Sequence, residues 1–144
     1  MDGSAIDRLL REHRIERVRS DRVAAASMLE EAERHLLAAE RIADLDPNGA
    51  YELLYTAARK AVTAHMFENG YRVAKSRLGG HDAVVQYAEA ALIGSVAREN
   101  VLQMDRMRRN RNRSEYGVRR FSEAEIREDL RHARAIVESV LRRE

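Results

Sequence analysis

Ala50-Tyr51-Glu52-Leu53-Leu54-Tyr55-Thr56-Ala57-Ala58-Arg59-Lys60-Ala61-Val62-Thr63-Ala64-His65 is the stretch that decides the fold class. Tyr51, Leu54, Tyr55, Ala58, Val62, His65 and the following Met66 recur at steps of three and four residues. That is the period of one helix face. The spacing predicts a helix from about Ala50 to Glu68. Asp46-Pro47-Asn48-Gly49 reads as the turn before it, because proline fixes φ and Asn and Gly tolerate unusual angles. Glu68-Asn69-Gly70 reads as its stop, with Gly70 as the C-terminal cap.

Working upstream, Asp21 can cap a helix that runs to about Asp44. Its residues Leu29, Ala32, Leu36, Ala39 and Ala43 step by three and four, and the alanines allow a neighbour to approach closely. Residues 4 to about 19 read as a short, highly charged first helix, and residues 1–20 as a peripheral N-terminal segment. Working downstream, Tyr71 to Gly80 has no period and reads as a loop. His81-Asp82 opens a fourth helix with Val84, Val85, Ala88, Ala91 and Leu92 apolar, and His81 is a candidate for its start cap. Gly94-Ser95 interrupts the pattern. A further helix is expected from about Ser95 through Val96, Val101, Met104 and Met107, ending at Gly117. Ser122-Glu123-Ala124-Glu125 is a capping-box signature. The last helix carries Ile126, Leu130, Ala133, Val137 and Val140 at steps of four and three. No stretch alternates as a strand does. The reading is all-α: an up-and-down helical bundle of four to five main helices in one domain spanning 1–144, with no internal repeat and no linker.

Composition agrees with this. The chain has 144 residues, 44% apolar and 35% charged, which suits one folded domain with a real core rather than a disordered chain. The absence of cysteine excludes disulfides and thiolate zinc sites. No apolar run reaches the ~18 residues needed to span a membrane. Met1 is followed by Asp2 without a basic and apolar leader, so the expectation is a cytoplasmic protein without a membrane partner.

Charge is uneven. The net charge is only +2, but Arg106 to Arg113 holds five arginines in eight residues, and Tyr116 and Gly117 follow. Guanidinium groups repel one another, so such a cluster makes sense facing phosphate or carboxylate, which arginine grips in a forked geometry. A solvated helix face or a paired surface network is the plain alternative. In a continuous helix Arg109 and Tyr116, seven residues apart, fall within ~20° of one face. Arg113 joins that face. Arg111 lies ~140° from Tyr116 unless the helix unwinds before Ser114. The candidates are therefore Arg109, Arg113 and Tyr116 for an intact helix, with Arg111 and Asn112 for one that ends early.

Three separated features together resemble the HEPN family, small helical proteins named for higher-eukaryote and prokaryote nucleotide binding. The first is Ala50 to His65 with Gly70-Tyr71-Arg72. The second is Gly80-His81-Asp82-Ala83-Val84-Val85. The third is Arg111-Asn112-Arg113-Ser114-Glu115-Tyr116 before a capped terminal helix. The resemblance spans roughly residues 20–142. It implies a helical bundle that dimerises so that two arginine motifs meet in a basic cleft, with RNA or a nucleotide as partner. Many members of the family are metal-independent endoribonucleases. Small prokaryotic members are often toxins encoded beside a nucleotidyltransferase-like antitoxin. The implied assignments are Arg109, Arg111 and Tyr116 as catalytic residues, and Arg106, Arg108, Asn112 and Arg113 as RNA- or phosphate-binding residues. No cofactor and no metal are expected.

The chain departs from the family pattern at Tyr116, which stands where a histidine would. A tyrosine ordinarily ionises near pH ~10, so it is a poor general base at neutral pH unless arginines lower that value. It can still donate to phosphate or stack on a base. Glu115 is a substitute base on paper, as is His132 on the terminal helix. The other histidines, 13, 35, 65 and 81, are scattered without metal-ligand spacing. Three readings follow: a toxin that cuts RNA, a module that binds RNA or nucleotide without cutting, and an interaction protein whose arginines meet an acidic partner. In the last, a nucleotidyltransferase-like antitoxin could modify Tyr116.

Overall fold

The structure, a computed structural model, describes residues 2–75, 81–94, 97–117 and 119–142. It is an all-α helical bundle with one small clasp of two strands. The order is α1 (Gly3–Arg11), β1 (Ile15–Arg17), α2 (Arg22–Ile42), α3 (Pro47–Asn69), β2 (Tyr71–Val73), α4 (His81–Leu92), α5 (Arg98–Val101), α6 (Met104–Glu115) and α7 (Glu123–Leu141).

α3 is the central element. Its buried residues include Tyr51, Leu54, Tyr55, Ala57, Ala58, Ala61, Val62, Ala64 and His65, so it is enclosed on more than one face. A helix apolar around most of its circumference belongs in the middle of a core. It starts one turn earlier than the sequence suggests. Asp46 caps it by accepting from the Gly49 N–H at 3.0 Å, and Pro47 occupies the first turn, where a missing N–H costs nothing. It stops where expected, at Gly70 in the left-handed conformation (φ 80°).

α2 lies antiparallel to α3. The Val18 N–H donates to the Gly70 carbonyl and the Asp21 N–H to the Phe67 carbonyl, each at 2.9 Å, which fixes the start of α2 at the end of α3. Ala25, Ala32 and Ala39 on α2 have no exposure and let the two helices approach closely. α7 runs antiparallel to α2: Arg134 pairs with Glu40, while Leu141, further along, shares a hollow with Glu33 and Leu37. Its capping box is formed by Ser122 and Glu125 in both directions. α6 packs against α3, with Asn110 near Tyr51 and Arg111 on Glu52. α4 covers the far end of α3, where the Tyr87 hydroxyl sits 2.8 Å from His65 Nδ1.

Several expectations are corrected. The first helix ends at Arg11, and the chain then forms β1, which pairs antiparallel with β2 in the register Ile15↔Val73. Three residues are too few to show a period of two, so neither strand is visible as a pattern. Part of the expected loop after Gly70 is therefore strand. Residues 1–20 are not merely peripheral, because Ile6, Leu9 and Ile15 are buried in the same apolar cluster as α3. The expected helix into the arginines is broken at Leu102 and Gln103, where the Gln103 N–H bonds back to the Asn100 carbonyl at 3.1 Å. Val101, Met104 and Met107 keep their spacing across that break, which hides it in the sequence. Gly79, Gly80, Ser95, Val96 and the His81 side chain lie outside the described residues. Among the described residues, no helix is long and apolar enough to cross a membrane.

Candidate functional site

The arginine cluster forms most of α6. Only Met104 and Met107 of this helix are buried, and they seat it on the bundle. Asp105 lies in the first turn and Arg113 in the last, the arrangement that suits the helix dipole. The helix stays intact to Glu115. The Tyr116 N–H then bonds to the Asn112 carbonyl at 3.3 Å and the Gly117 N–H to the Ser114 carbonyl at 3.0 Å, and Gly117 has φ 72°. The intact-helix geometry therefore applies, and it splits the cluster in two.

One set turns inward. Arg106 forks onto Asp129, with Nη2 to Oδ1 at 2.6 Å and Nη1 to Oδ2 at 3.1 Å. The Asp129 side chain is 4% exposed and also accepts from the Tyr51 hydroxyl at 2.7 Å. Burial, and then the bond to Asp129, push the Tyr51 hydroxyl well above the usual tyrosine range. Tyr51 in turn stacks flat on Phe121, with ring centroids 3.8 Å apart. Arg111 forks onto Glu52, Nε at 2.9 Å and Nη2 at 2.7 Å from Oε1, and its Nη1 is 3.3 Å from Glu115 Oε2. Its side chain is only 18% exposed. Arg108 bonds Asp105 Oδ1 from two nitrogens at 3.0 and 3.1 Å. Asn112 is half-buried and accepts from Arg111 Nη1 at 3.3 Å.

The other set points outward. Arg109 is 65% exposed and touches Asp105 Oδ2 only at 3.4 Å. Arg113 is exposed, with no carboxylate within ion-pair distance among the described residues. Tyr116 is 79% exposed. These three occupy one face, at spacings of four and three residues. Beside the helix end, Asp46, Pro47, Asn48, Gly117, Arg120 and Phe121 line an open hollow of about 460 Å³. Arg120 is exposed at its edge, while Arg119 lies over the Phe121 ring and pairs with Glu125.

Not every arginine of the cluster thus faces solvent: Arg106, Arg108 and Arg111 meet carboxylates of their own chain, and Arg109 and Arg113 form the exposed rim. Glu52 and Asp129 are the residues sequence reasoning missed. Asp129 carried a signal, since it sits three residues after Ile126 on the side of α7 that should be apolar. Glu52 carried none, because an acid between Tyr51 and Leu53 looks like any solvated position.

His35, His65 and His132 are engaged elsewhere. His132 Nδ1 is 2.8 Å from Asn100 Oδ1 and its Nε2 is 3.3 Å from Glu128, which ties the ring to α5 and to its own helix. His35 lies 2.9 Å from Lys60 Nζ; burial, and then the Lys60 charge, lower its pKa. Among the described residues no group of three or more His, Cys, Asp or Glu side chains could hold a metal ion. Comparison of the chain with known family models, curated proteins and solved structures finds no match in any of the three.

Proposed function

We propose that the protein is an RNA-directed helical module of the HEPN type that holds the phosphodiester backbone on the outer face of α6. The observation that carries this reading is the division of the cluster. Arg109, Arg113 and Tyr116 share one exposed face although carboxylates are available close by for their neighbours. Exposed guanidinium groups at a spacing of four residues repel, and a polyanion laid across them removes that cost. Tyr116 at the same rim supplies a flat surface for a base. Two copies facing each other across one strand would double the contact.

Binding without cleavage is the form this geometry supports best. Arg111, at the family-like motif position, is closed onto Glu52, and Tyr116 offers no ready general base. The sharper form, a metal-independent endoribonuclease acting as the toxin of a toxin–antitoxin pair, requires Arg111 to open. The deciding experiment is fluorescence anisotropy with labelled single-stranded RNA in chelator over a range of salt, with the same RNA run on a denaturing gel. The expected outcome is affinity that falls steeply with salt, each phosphate contact adding about 0.7 to the log–log slope. Arg109→Glu/Arg113→Glu is expected to weaken binding by at least tenfold. Equal binding by that variant would remove the reading, and shortened RNA would promote the nuclease form.

A further inference from the structure

The open hollow beside the end of α6 holds two groups of opposite charge that do not meet. Asp46, Pro47 and Asn48 line it from the start of α3, and Gly117, Arg120 and Phe121 from the segment after α6. Asp46 Oδ1 accepts from the Gly49 N–H at 3.0 Å, which orients the carboxylate, while Oδ2 accepts no hydrogen bond among the described residues. Arg120 is exposed and has no carboxylate within ion-pair distance among the described residues, Asp46 included. Asn48 holds the two walls at a fixed spacing. Its Nδ2 donates to the Arg119 carbonyl at 3.0 Å and its Oδ1 accepts from the Phe121 N–H at 3.3 Å, which pins the backbone on both sides of Arg120 to α3. Both faces of the Phe121 ring are covered, by Tyr51 and by Arg119, so the exposed ring beside the hollow is that of Tyr116, next in the chain to Gly117.

We propose that this hollow reads one base of the strand that crosses the α6 rim, with Arg120 on the adjoining phosphate and Asp46 selecting guanine. The proposal rests on the RNA reading above and adds a base preference to it. At about 460 Å³ the hollow falls in the size range of small-ligand sites. A carboxylate repels phosphate and only accepts hydrogen bonds, so the part of a nucleotide that suits Asp46 is an N–H donor on a base edge. Guanine presents two neighbouring donors there, the ring N1–H and the N2 amino group. In adenine and cytosine the amino group stands beside a ring nitrogen that accepts, and in uracil the N3–H is flanked by two carbonyls. Those acceptors face the carboxylate with like charge, so guanine is the base it favours.

The test compares two labelled single-stranded RNAs of equal length in chelator at fixed salt: an oligoadenylate, and the same chain with every third base guanine. The wild type is expected to bind the second roughly fivefold to tenfold more tightly, the scale of one base contact at an open site. Asp46→Asn keeps the cap of α3, since asparagine caps as well as aspartate, but takes the charge away and puts an amide where the carboxylate was. It is expected to bring the ratio of the two affinities close to one. Loss of a negative charge alone would raise both affinities together and leave the ratio unchanged. Should Asp46→Asn fail to fold by circular dichroism, Asp46→Ser, also a good cap, replaces it with the same loss of preference expected. Arg120→Gln is expected to weaken both RNAs alike, by roughly threefold to fivefold, the scale of one exposed charge-assisted contact. Equal binding of the two RNAs by the wild type overturns the proposal and leaves the RNA reading standing. A preference that survives in the Asp46 variant also overturns it, as does Arg120→Gln without any weakening, because the hollow then lies off the path of the strand. Absence of binding to either RNA overturns both the proposal and the reading on which it rests.

Discussion

At the scale of single residues, the bundle depends on a few buried polar groups. Asp129 joins α7 to α3 through Tyr51 and to α6 through Arg106. Replacing it by alanine leaves Arg106 without its partner and the Tyr51 hydroxyl without its acceptor. Asp129→Ala is expected to cost about 2–3 kcal/mol in a urea titration followed by circular dichroism, since Arg106 is 40% exposed and stays hydrated. Tyr55 gives a second prediction. Burial is the largest influence on its hydroxyl and pushes it up to about 12, against the opposing charges of Arg59, Arg108 and Arg111. Below the ordinary tyrosine value near ~10, folded and unfolded chains both keep this proton, and the contribution to stability is fully present. Above it the unfolded chain ionises first, so stability is lost as pH rises from about 10 through about 12. Alkaline unfolding should therefore be flatter in Tyr55→Phe than in wild type, and identical curves would contradict the assignment. Both tyrosines were legible in the sequence as core positions of one helix face. The acceptor of the Tyr51 hydroxyl was not, because Asp129 sits on an element distant in sequence, and periodicity says nothing about which distant element comes close.

At the scale of elements, the long helices were readable and the short pieces were not. α2, α3 and α7 each run five turns or more, enough for an apolar stripe to repeat and for caps such as Asp21 and Ser122 to mark the ends. β1, β2 and α5 hold three or four residues each, and their hydrogen-bond partners, not their composition, create them. The join between α3 and β2 shows how strict such a junction can be. Gly70 has φ 80°, and a Cβ there would lie 2.9 Å from the Val18 carbonyl oxygen. Gly117 has a similar φ of 72° but open space around it. Gly70→Ala is expected to cost roughly 2–3 kcal/mol, combining backbone strain with displacement of the clasp, and Gly117→Ala about 1 kcal/mol from strain alone. Thermal melts of the two variants would separate the effects, and an equal loss in both would argue against the close approach at Val18.

At the scale of the whole molecule, a net charge of +2 hides a divided surface. α3 is wrapped by α2, α4, α6 and α7, and the first fifteen residues add Ile6, Leu9 and Ile15 to the same core. The exposed rim of Arg109, Arg113 and Tyr116 could be foreseen once the helix through them was taken as unbroken. Which arginines would turn inward could not, since that depends on where Glu52 and Asp129 arrive from other helices. The rim also rides on an element unlike the rest. Two methionines are the only buried residues in the twelve of α6, and carboxylate contacts supply much of the remaining hold. Amide hydrogen exchange should find this helix opening as a separate unit, at a lower free energy than the central α3 and more readily as ionic strength rises. A bound strand would then slow exchange in α6 far more than anywhere else, so that part of its binding energy is spent on holding the helix shut.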